Sequence, residues 1–343
     1  MELSTIKQYC QEHFSDGLVT IVGSGISIAE GISGMGDLAK HLLAEVPKKI
    51  ESSSEANWEK ISAELAKGTD LENALLKHAP DDQLEAIIVT ETGSLILADE
   101  SKVLSEVLNH DRRLCFTRLL KHMLKSGAGI PIITTNYDRL IEVAVEEAGL
   151  GIDTLFTGHH LARHDPIGSR HSLCRSVTQQ GKRVVRTFCD HAVVLKPHGS
   201  LDWYQKGTAP VRCTFPLDGP RLIITPGLNK FRGGYNQPFD AHRERANKEI
   251  DNASRFLVLG YGFNDEHLQT HLEPQLLRGK PTLLITHSLS PKATDLVTNC
   301  GSVTAIVSDK AGDGAMVYHA GESEFFLGAN LWELGTFITE VFE

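Results

Sequence analysis

No apolar run in this chain approaches the ~18 residues that a membrane-spanning helix needs. The longest, such as Phe256–Gly260 and Leu283–Ile285, have the length of strands. The start, Met1-Glu2-Leu3-Ser4, has neither a basic segment followed by an apolar one nor a small-residue cleavage site. A cytoplasmic protein with no export signal and no membrane association is therefore expected. Cysteine is sparse: Cys10, Cys115, Cys174, Cys189, Cys213 and Cys300 are scattered with no C-x-x-C pair. That excludes zinc-ribbon chemistry and fits reduced thiols rather than a disulfide framework. Positive charge is in deficit, 34 Lys+Arg against 44 Asp+Glu, for a formal charge of −10. Non-specific binding to a phosphate backbone is thereby disfavoured, and no direct nucleic-acid partner is expected. Internal repeats, low-complexity tracts and Pro- or Ser-rich linkers are also lacking. With 41% hydrophobic and 23% charged residues, disordered and fibrous classes are excluded for this chain of 343 residues.

What is present is a series of short, continuously apolar runs, each ending in a turn. They are Leu18–Val22, Pro131–Thr134, Ala192–Lys196, Leu222–Thr225, Phe256–Gly260, Thr282–Thr286 and Val303–Val307. Continuous rather than alternating apolar character marks strands covered on both faces, as in a parallel sheet. The expected fold is α/β, a Rossmann-like, doubly wound parallel sheet. More than a hundred residues with helical periodicity separate the first two strands. Helices are expected at Asn57–Ala66, Thr69–His78 and Asp111–Lys125, as an inserted helical module over about 47–126 within one domain spanning 1–343. The Arg- and His-rich stretch Thr157–Asp190 reads as loops plus a hairpin.

Four strand exits carry the residues of chemical interest. Leu18–Val22 runs into Gly23-Ser24-Gly25-Ile26-Ser27, a glycine turn of the kind that lets backbone N–H groups approach a pyrophosphate. A tight strand-to-helix turn without a ligand fits the same residues. Ile132–Thr134 leads to Thr135-Asn136-Tyr137-Asp138, which puts an amide and a carboxylate at the carboxyl edge of the sheet, or else an Asn turn and an Asp cap. Val193–Lys196 stops at Pro197-His198-Gly199-Ser200-Leu201-Asp202-Trp203; an imidazole there suits proton transfer near neutrality, and a loop cap fits as well. Phe256–Leu259 ends in Gly260-Tyr261-Gly262-Phe263-Asn264-Asp265, a second G-x-G turn with Asn264 and Asp265 as helix caps. Two glycine-rich exits in one sheet suggest the two ends of a long ligand.

Together these segments resemble the sirtuin superfamily, and within it the bacterial NAD-degrading proteins of anti-phage defence. Gly23 to Ser27 is similar to the family's glycine-alanine-glycine-isoleucine-serine motif, Thr135 to Asp138 to its threonine-glutamine-asparagine-x-aspartate motif, and His198-Gly199 to its catalytic histidine-glycine. Three stretches are similar to motifs of the defence branch: Lys196 to Tyr204, Pro226-Gly227-Leu228-Asn229-Lys230 and Gly260 to Asp265. The resemblance implies NAD as substrate. It places Gly23, Ser24, Gly25 and Ser27 near the pyrophosphate and ribose, and Asn136 at the nicotinamide ribose or an attacking water. Asp138 falls near the carboxamide pocket, Thr135 joins the cofactor-binding residues, and His198 becomes the acid/base partner of the ribose hydroxyls. Gly260, Tyr261, Gly262 and Thr286, with His287 and Ser288, then approach the adenosine half. It further implies a homo-oligomer and a HerA-type hexameric ATPase as partner. Two features of deacylating sirtuins are missing: a four-cysteine zinc module, and a proline-aspartate-phenylalanine-arginine loop, where Glu30-Gly31-Ile32-Ser33-Gly34 stands. The expected reaction is therefore hydrolysis of NAD to ADP-ribose and nicotinamide, with protein deacylation or non-catalytic nucleotide sensing as alternatives.

Other chemistries find no support. Gly31-Ile32-Ser33-Gly34-Met35 misses the last glycine of G-x-S-x-G. G-x-x-x-x-G-K-[ST] is absent, Arg278-Gly279-Lys280-Pro281 being a loop. His159, His160, His164, His171, Cys174, Cys189 and His191 match no standard zinc spacing, so no metal is expected. The basic residues Arg163, Arg170, Arg175, Lys182, Arg183 and Arg186 read as solvated surface. Leu331, Trp332, Leu334, Phe337, Ile338 and Phe342 share helical positions and are expected to pack the core, with a partner surface as the alternative.

Overall fold

A computed structural model describes residues 2–125, 127–217, 221–227, 236–309 and 311–343. In chain order its strands are β1 (Leu18–Val22), β2 (Ile130–Thr134), β3 (Gly151–Asp153), β4 (Phe156–Thr157), β5 (Leu161–His164), β6 (Cys174–Gln180), β7 (Arg183–Phe188), β8 (His191–Leu195), β9 (Gly199–Lys206), β10 (Ala209–Cys213), β11 (Arg221–Ile223), β12 (Arg255–Leu259), β13 (Thr282–Thr286), β14 (Val303–Ser308), β15 (Gly314–His319) and β16 (Glu322–Leu327). Among the described residues the main sheet has nine strands in the order β16-β15-β14-β13-β12-β1-β2-β8-β3. From β14 to β3 all neighbours are parallel. β15 and β16 add an antiparallel margin.

Successive residues of a strand point to opposite faces, so each parallel strand divides its side chains between two cores. In β12, Leu257 and Leu259 enter one cluster while Phe256 and Val258 enter the other; in β8, Ala192 and Val194 part in the same way from Val193 and Leu195. Helices Leu3–His13, Leu140–Glu147 and Leu334–Phe342 cover the first face. Helices Phe239–Asn252, Glu266–Leu277 and Pro291–Asn299 cover the second. This is the doubly wound α/β fold expected from the sequence. The carboxyl-terminal helix packs the core as expected, with Leu331, Phe337 and Ile338 fully buried.

Three expectations need correction, and one helix adds to them. Leu222–Thr225 does not join the parallel sheet: β11 pairs antiparallel with β9 in a second sheet, β11-β9-β10-β5-β4. Three apolar residues and a threonine, without alternation, cannot specify which sheet they enter. Thr157–Asp190 contains the expected hairpin, β6–β7, but also β4, β5 and helix Pro166–Ser172. The helix expected at Asp111–Lys125 is confined to Cys115–Leu119, continued by a 3-10 turn Leu120–His122. The longest helix among the described residues, Asp82–Leu108, lies within the expected helical module but beyond the three helices named there. Its first half packs Leu84 and Ile88 into a separate core with Leu42, Trp58, Ile61 and Leu75, while Ile96, Val103 and Val107 join the main core. Serving two cores on different sides, it shows no single apolar stripe.

Candidate active site

The sheet reverses its winding at β1, which pairs with β2 on one side and β12 on the other. In open α/β sheets a ligand crevice forms outside the carboxyl ends of the strands at such a switch point. The turns leaving β1 and β12 meet there backbone to backbone. Gly23 N donates to Leu259 O at 2.9 Å and Gly25 N to Gly260 O at 3.0 Å. A Cβ at Gly23 would lie 2.4 Å from Gly260 O, one at Gly25 2.8 Å from Gly260 Cα, and Gly260 itself has φ +56°. The glycine pattern is thus required by the packing of two turns. Ser24, between the two glycines, borders both adjoining cavities.

At the end of β2 three side chains form a chain of hydrogen bonds. Asn136 Nδ2 donates to Gly23 O at 2.9 Å and to Ser27 Oγ at 2.7 Å, and Ser27 Oγ donates to Asp138 Oδ2 at 2.7 Å. Both amide hydrogens of Asn136 are used, so its carbonyl Oδ1 is the side-chain atom left to accept from a ligand. Asp138 spends its other oxygen on Leu140 N, at 3.2 Å. Its backbone carbonyl accepts from Lys196 Nζ, which is buried and paired with Glu142 Oε1 at 3.0 Å. Burial pushes the Glu142 carboxyl up, opposed by the Lys196 ammonium. On the far side Arg139 is clamped by the fully buried Glu100 of helix Asp82–Leu108. The segment 136–139 is held from three directions before any ligand arrives.

β8 delivers His198. Gly199, at φ +88°, lets β11 pass within 2.0 Å of where a Cβ would stand, and Ile224 N donates to His198 O at 2.9 Å. Tyr137 Oη donates to Ile224 O at 2.6 Å. Burial, with the Glu72 and Asp265 carboxylates nearby, raises the Tyr137 phenol well above its usual range, so it remains a donor. His198 Nε2 lies 2.5 Å from Asp265 Oδ2, while Asp265 Oδ1 caps helix Glu266–Leu277 by accepting from Leu268 N at 2.9 Å.

These side chains line a cleft of about 240 Å³ that holds Ser27, Thr135, Asn136, Asp138, His198, Tyr261 and Asp265. Ile28, Ile32, Met35 and Leu38 form its apolar wall, and Glu72 reaches in from helix Leu71–Lys77. Across Ser24, Ile28 and Gly262 lies a larger chamber of about 1050 Å³. Gly25, Gly260, Thr286, His287 and Ser288 border it on one side, and Trp332 to Glu340 of the carboxyl-terminal segment on the other. Of the candidate residues, only Gly23 lies behind the walls of these two cavities. Pro226 joins the smaller one, while Leu228, Asn229 and Lys230 lie outside the described residues. The contact of Asp265 with His198, the entry of Glu72 and the wall from Trp332 to Glu340 are not announced by the sequence. Each joins residues far apart in the chain. Among the described residues no three His, Cys, Asp or Glu side chains are grouped to hold a metal ion.

Comparison with known proteins turns on one stretch. Residues 131–288 match the SIR2-like domain family. The SIR2-like stretch holds Asn136, Asp138, His198, Gly260, Gly262, Asp265 and Thr286, and leaves the glycine turn after β1 outside it. A search of the curated proteins finds no match. Among solved structures, the chain is similar to a Sir2 homologue in complex with NAD, at 14% identity and a TM-score of 0.39 over 91% of this chain and 90% of that one. A structure described as the structural basis of sirtuin substrate affinity is 16% identical, with a TM-score of 0.38 over 85% of this chain and 90% of the other. A Sir2 bound to an acetylated peptide is 16% identical, with a TM-score of 0.36 over 85% and 89%.

Proposed function

We propose that this protein belongs to the sirtuin superfamily and is an NAD glycohydrolase, cleaving NAD with water to ADP-ribose, nicotinamide and a proton. The observation that carries this reading is the pair of adjacent cavities at the switch point, which share Ser24, Ile28 and Gly262 as lining. The smaller has an amide acceptor, a carboxylate network and an imidazole, and the larger has ample room for the adenosine half. In NAD the nicotinamide is a cationic leaving group, so its glycosidic bond needs less acid assistance than an ordinary glycoside with its paired carboxylates. The residues need only hold the ribose, favour developing positive charge at its anomeric carbon and admit water. Asn136 Oδ1 would orient a ribose hydroxyl or the water, His198 would exchange a proton with the ribose hydroxyls, and the carboxylates of Glu72 and Asp138 would favour the cationic transition state. Ser24, Gly25 and Gly262 would lie along the pyrophosphate, and Gly260 and Thr286 along the adenosine half.

The match over residues 131–288 supports a sirtuin-type nucleotide site. The motifs resembling the defence branch support the remaining part of the proposal: a cytoplasmic, homo-oligomeric enzyme that depletes NAD during phage infection, together with a HerA-type ATPase. The test is product analysis of the purified protein incubated with NAD, alone and with an acyl-lysine peptide. Nicotinamide and ADP-ribose without peptide are expected. O-acyl-ADP-ribose formed only with peptide would mark a deacylase, and binding without turnover a sensor.

A further inference from the structure

The histidine of the site does not stand alone. His198 leaves β8 and Asp265 begins the helix after β12, on the two sides of β1 and β2 in the sheet order, yet their side chains meet at 2.5 Å between Nε2 and Oδ2. Both are buried, at 8% and 5% exposure, so the contact is shielded from competing water. Asp265 is itself fixed, because its other oxygen is bound to Leu268 N as the helix cap. The two atoms complete no hydrogen bond of regular geometry, but an anionic oxygen this close to Nε2 repels that nitrogen's lone pair and so favours the ring form with hydrogen on Nε2. Nδ1 is then the nitrogen whose lone pair is left to accept a proton.

We propose that Asp265 is a positioning residue that fixes the His198 tautomer and ring orientation, so that Nδ1 faces the substrate as proton acceptor. One carboxylate thus serves both as helix cap and as histidine orienter. This explains why an aspartate stands at the position: Ser, Thr or Asn would cap the helix equally well, but none supplies a second, anionic acceptor. The catalytic part of the proposal rests on the glycohydrolase reading; the tautomer part does not.

The test uses Asp265→Asn in the full chain. The asparagine Oδ1 keeps the cap, while its amide donates toward Nε2 and so favours hydrogen on Nδ1. Nitrogen-15 NMR of the His198 ring is expected to show hydrogen on Nε2 in the parent protein and transfer toward Nδ1 in the variant, with melting temperatures within about 3 °C for a cap retained. Nicotinamide release is expected to fall about 10²- to 10⁴-fold in kcat, the range for loss of a histidine's orienting carboxylate, with KM changing less than about threefold. Asp265→Ser, which caps but does not reach His198, should lose activity with a mixed tautomer population. An unchanged tautomer in Asp265→Asn, or parental kcat in either variant, overturns the proposal. Absence of turnover in the parent protein alongside the expected tautomer transfer would overturn the glycohydrolase reading and leave the positioning role standing.

Discussion

Asn136 and Ser27, 109 residues apart in the chain, are joined by a 2.7 Å hydrogen bond from the amide Nδ2 to the hydroxyl Oγ. Because that hydroxyl passes its own hydrogen to Asp138, the orientation of the amide is dictated by a carboxylate it does not touch. The end of β2 and the first turn after β1 are thereby one unit. Ser27→Ala removes the relay and leaves an amide hydrogen and a carboxylate oxygen unpaired. We expect a stability loss of about 1–3 kcal/mol. Nicotinamide release should fall at least tenfold as Asn136 gains freedom to rotate. Urea titration and kcat together check this; full activity in the variant would contradict the relay.

The contact between the two glycine turns gives a second prediction. A Cβ at Gly23 meets Gly260 O and Tyr261 Cα, both backbone atoms. Gly23→Ala should therefore displace the β1 and β12 exits, cost at least about 2 kcal/mol and abolish nucleotide binding. Gly36, in helix Met35–Glu45, has no atom within 4 Å of an added Cβ. Gly36→Ala should instead stabilise by about 0.4–1 kcal/mol. Melting temperatures of the two variants should move in opposite directions.

Much of this arrangement could be read from the sequence, for reasons visible in particular residues. Strands β1, β2, β8, β12, β13 and β14 are covered on both faces, so their apolar runs are continuous and conspicuous. Each ends where the chain leaves the sheet, so the polar residues at the exits mark its carboxyl edge. β3, three residues long, has too little sequence to register. β15 and β16 lie at the margin, where β15 is only partly covered and β16 is exposed along most of its length, so no continuous apolar run forms. Asp265 was legible as a cap because capping is local; its second contact, with a residue 67 positions earlier, depends on how β8 and β12 are placed and leaves no spacing to read.

Two buried histidines make stability depend on pH on the acid side. Burial pushes His13 down from 6.5 to about 4, against a hydrogen bond to Phe256 O at 2.8 Å. His242 is lowered well below its usual value by burial, and its Nδ1 accepts from Lys196 N at 3.1 Å, which requires the neutral ring. Groups lowered in the folded state take up protons first in the unfolded chain. The contribution of His13 is complete above about pH 6.5 and is lost as pH falls toward about 4. Between pH 7 and 5, His13 alone should remove on the order of 2 kcal/mol. Urea unfolding at both pH values measures the loss, and His13→Gln should show a smaller one.

The Lys196–Glu142 pair braces the Asn136–Asp138 turn from below, so its removal should injure both stability and chemistry. Lys196→Met leaves Glu142 buried without its partner and frees the carbonyls of Tyr137 and Asp138. A loss of about 3–5 kcal/mol is expected. Glu142→Gln should cost less, because the neutral amide still accepts from Lys196. Chemical denaturation of both variants gives the order, and a smaller loss for Lys196→Met would contradict it.

The central claim is that one dinucleotide spans both cavities, with its nicotinamide ribose between Asn136 and His198. A crystal structure of the Asn136→Ala variant with NAD tests it most directly. The account predicts the nicotinamide ribose within hydrogen-bonding distance of His198, the pyrophosphate passing between Ser24 and Gly262, and the adenosine in the chamber bordered by Thr286 and Trp332. NAD bound away from this switch point, or with its adenosine in the smaller cleft, would contradict it.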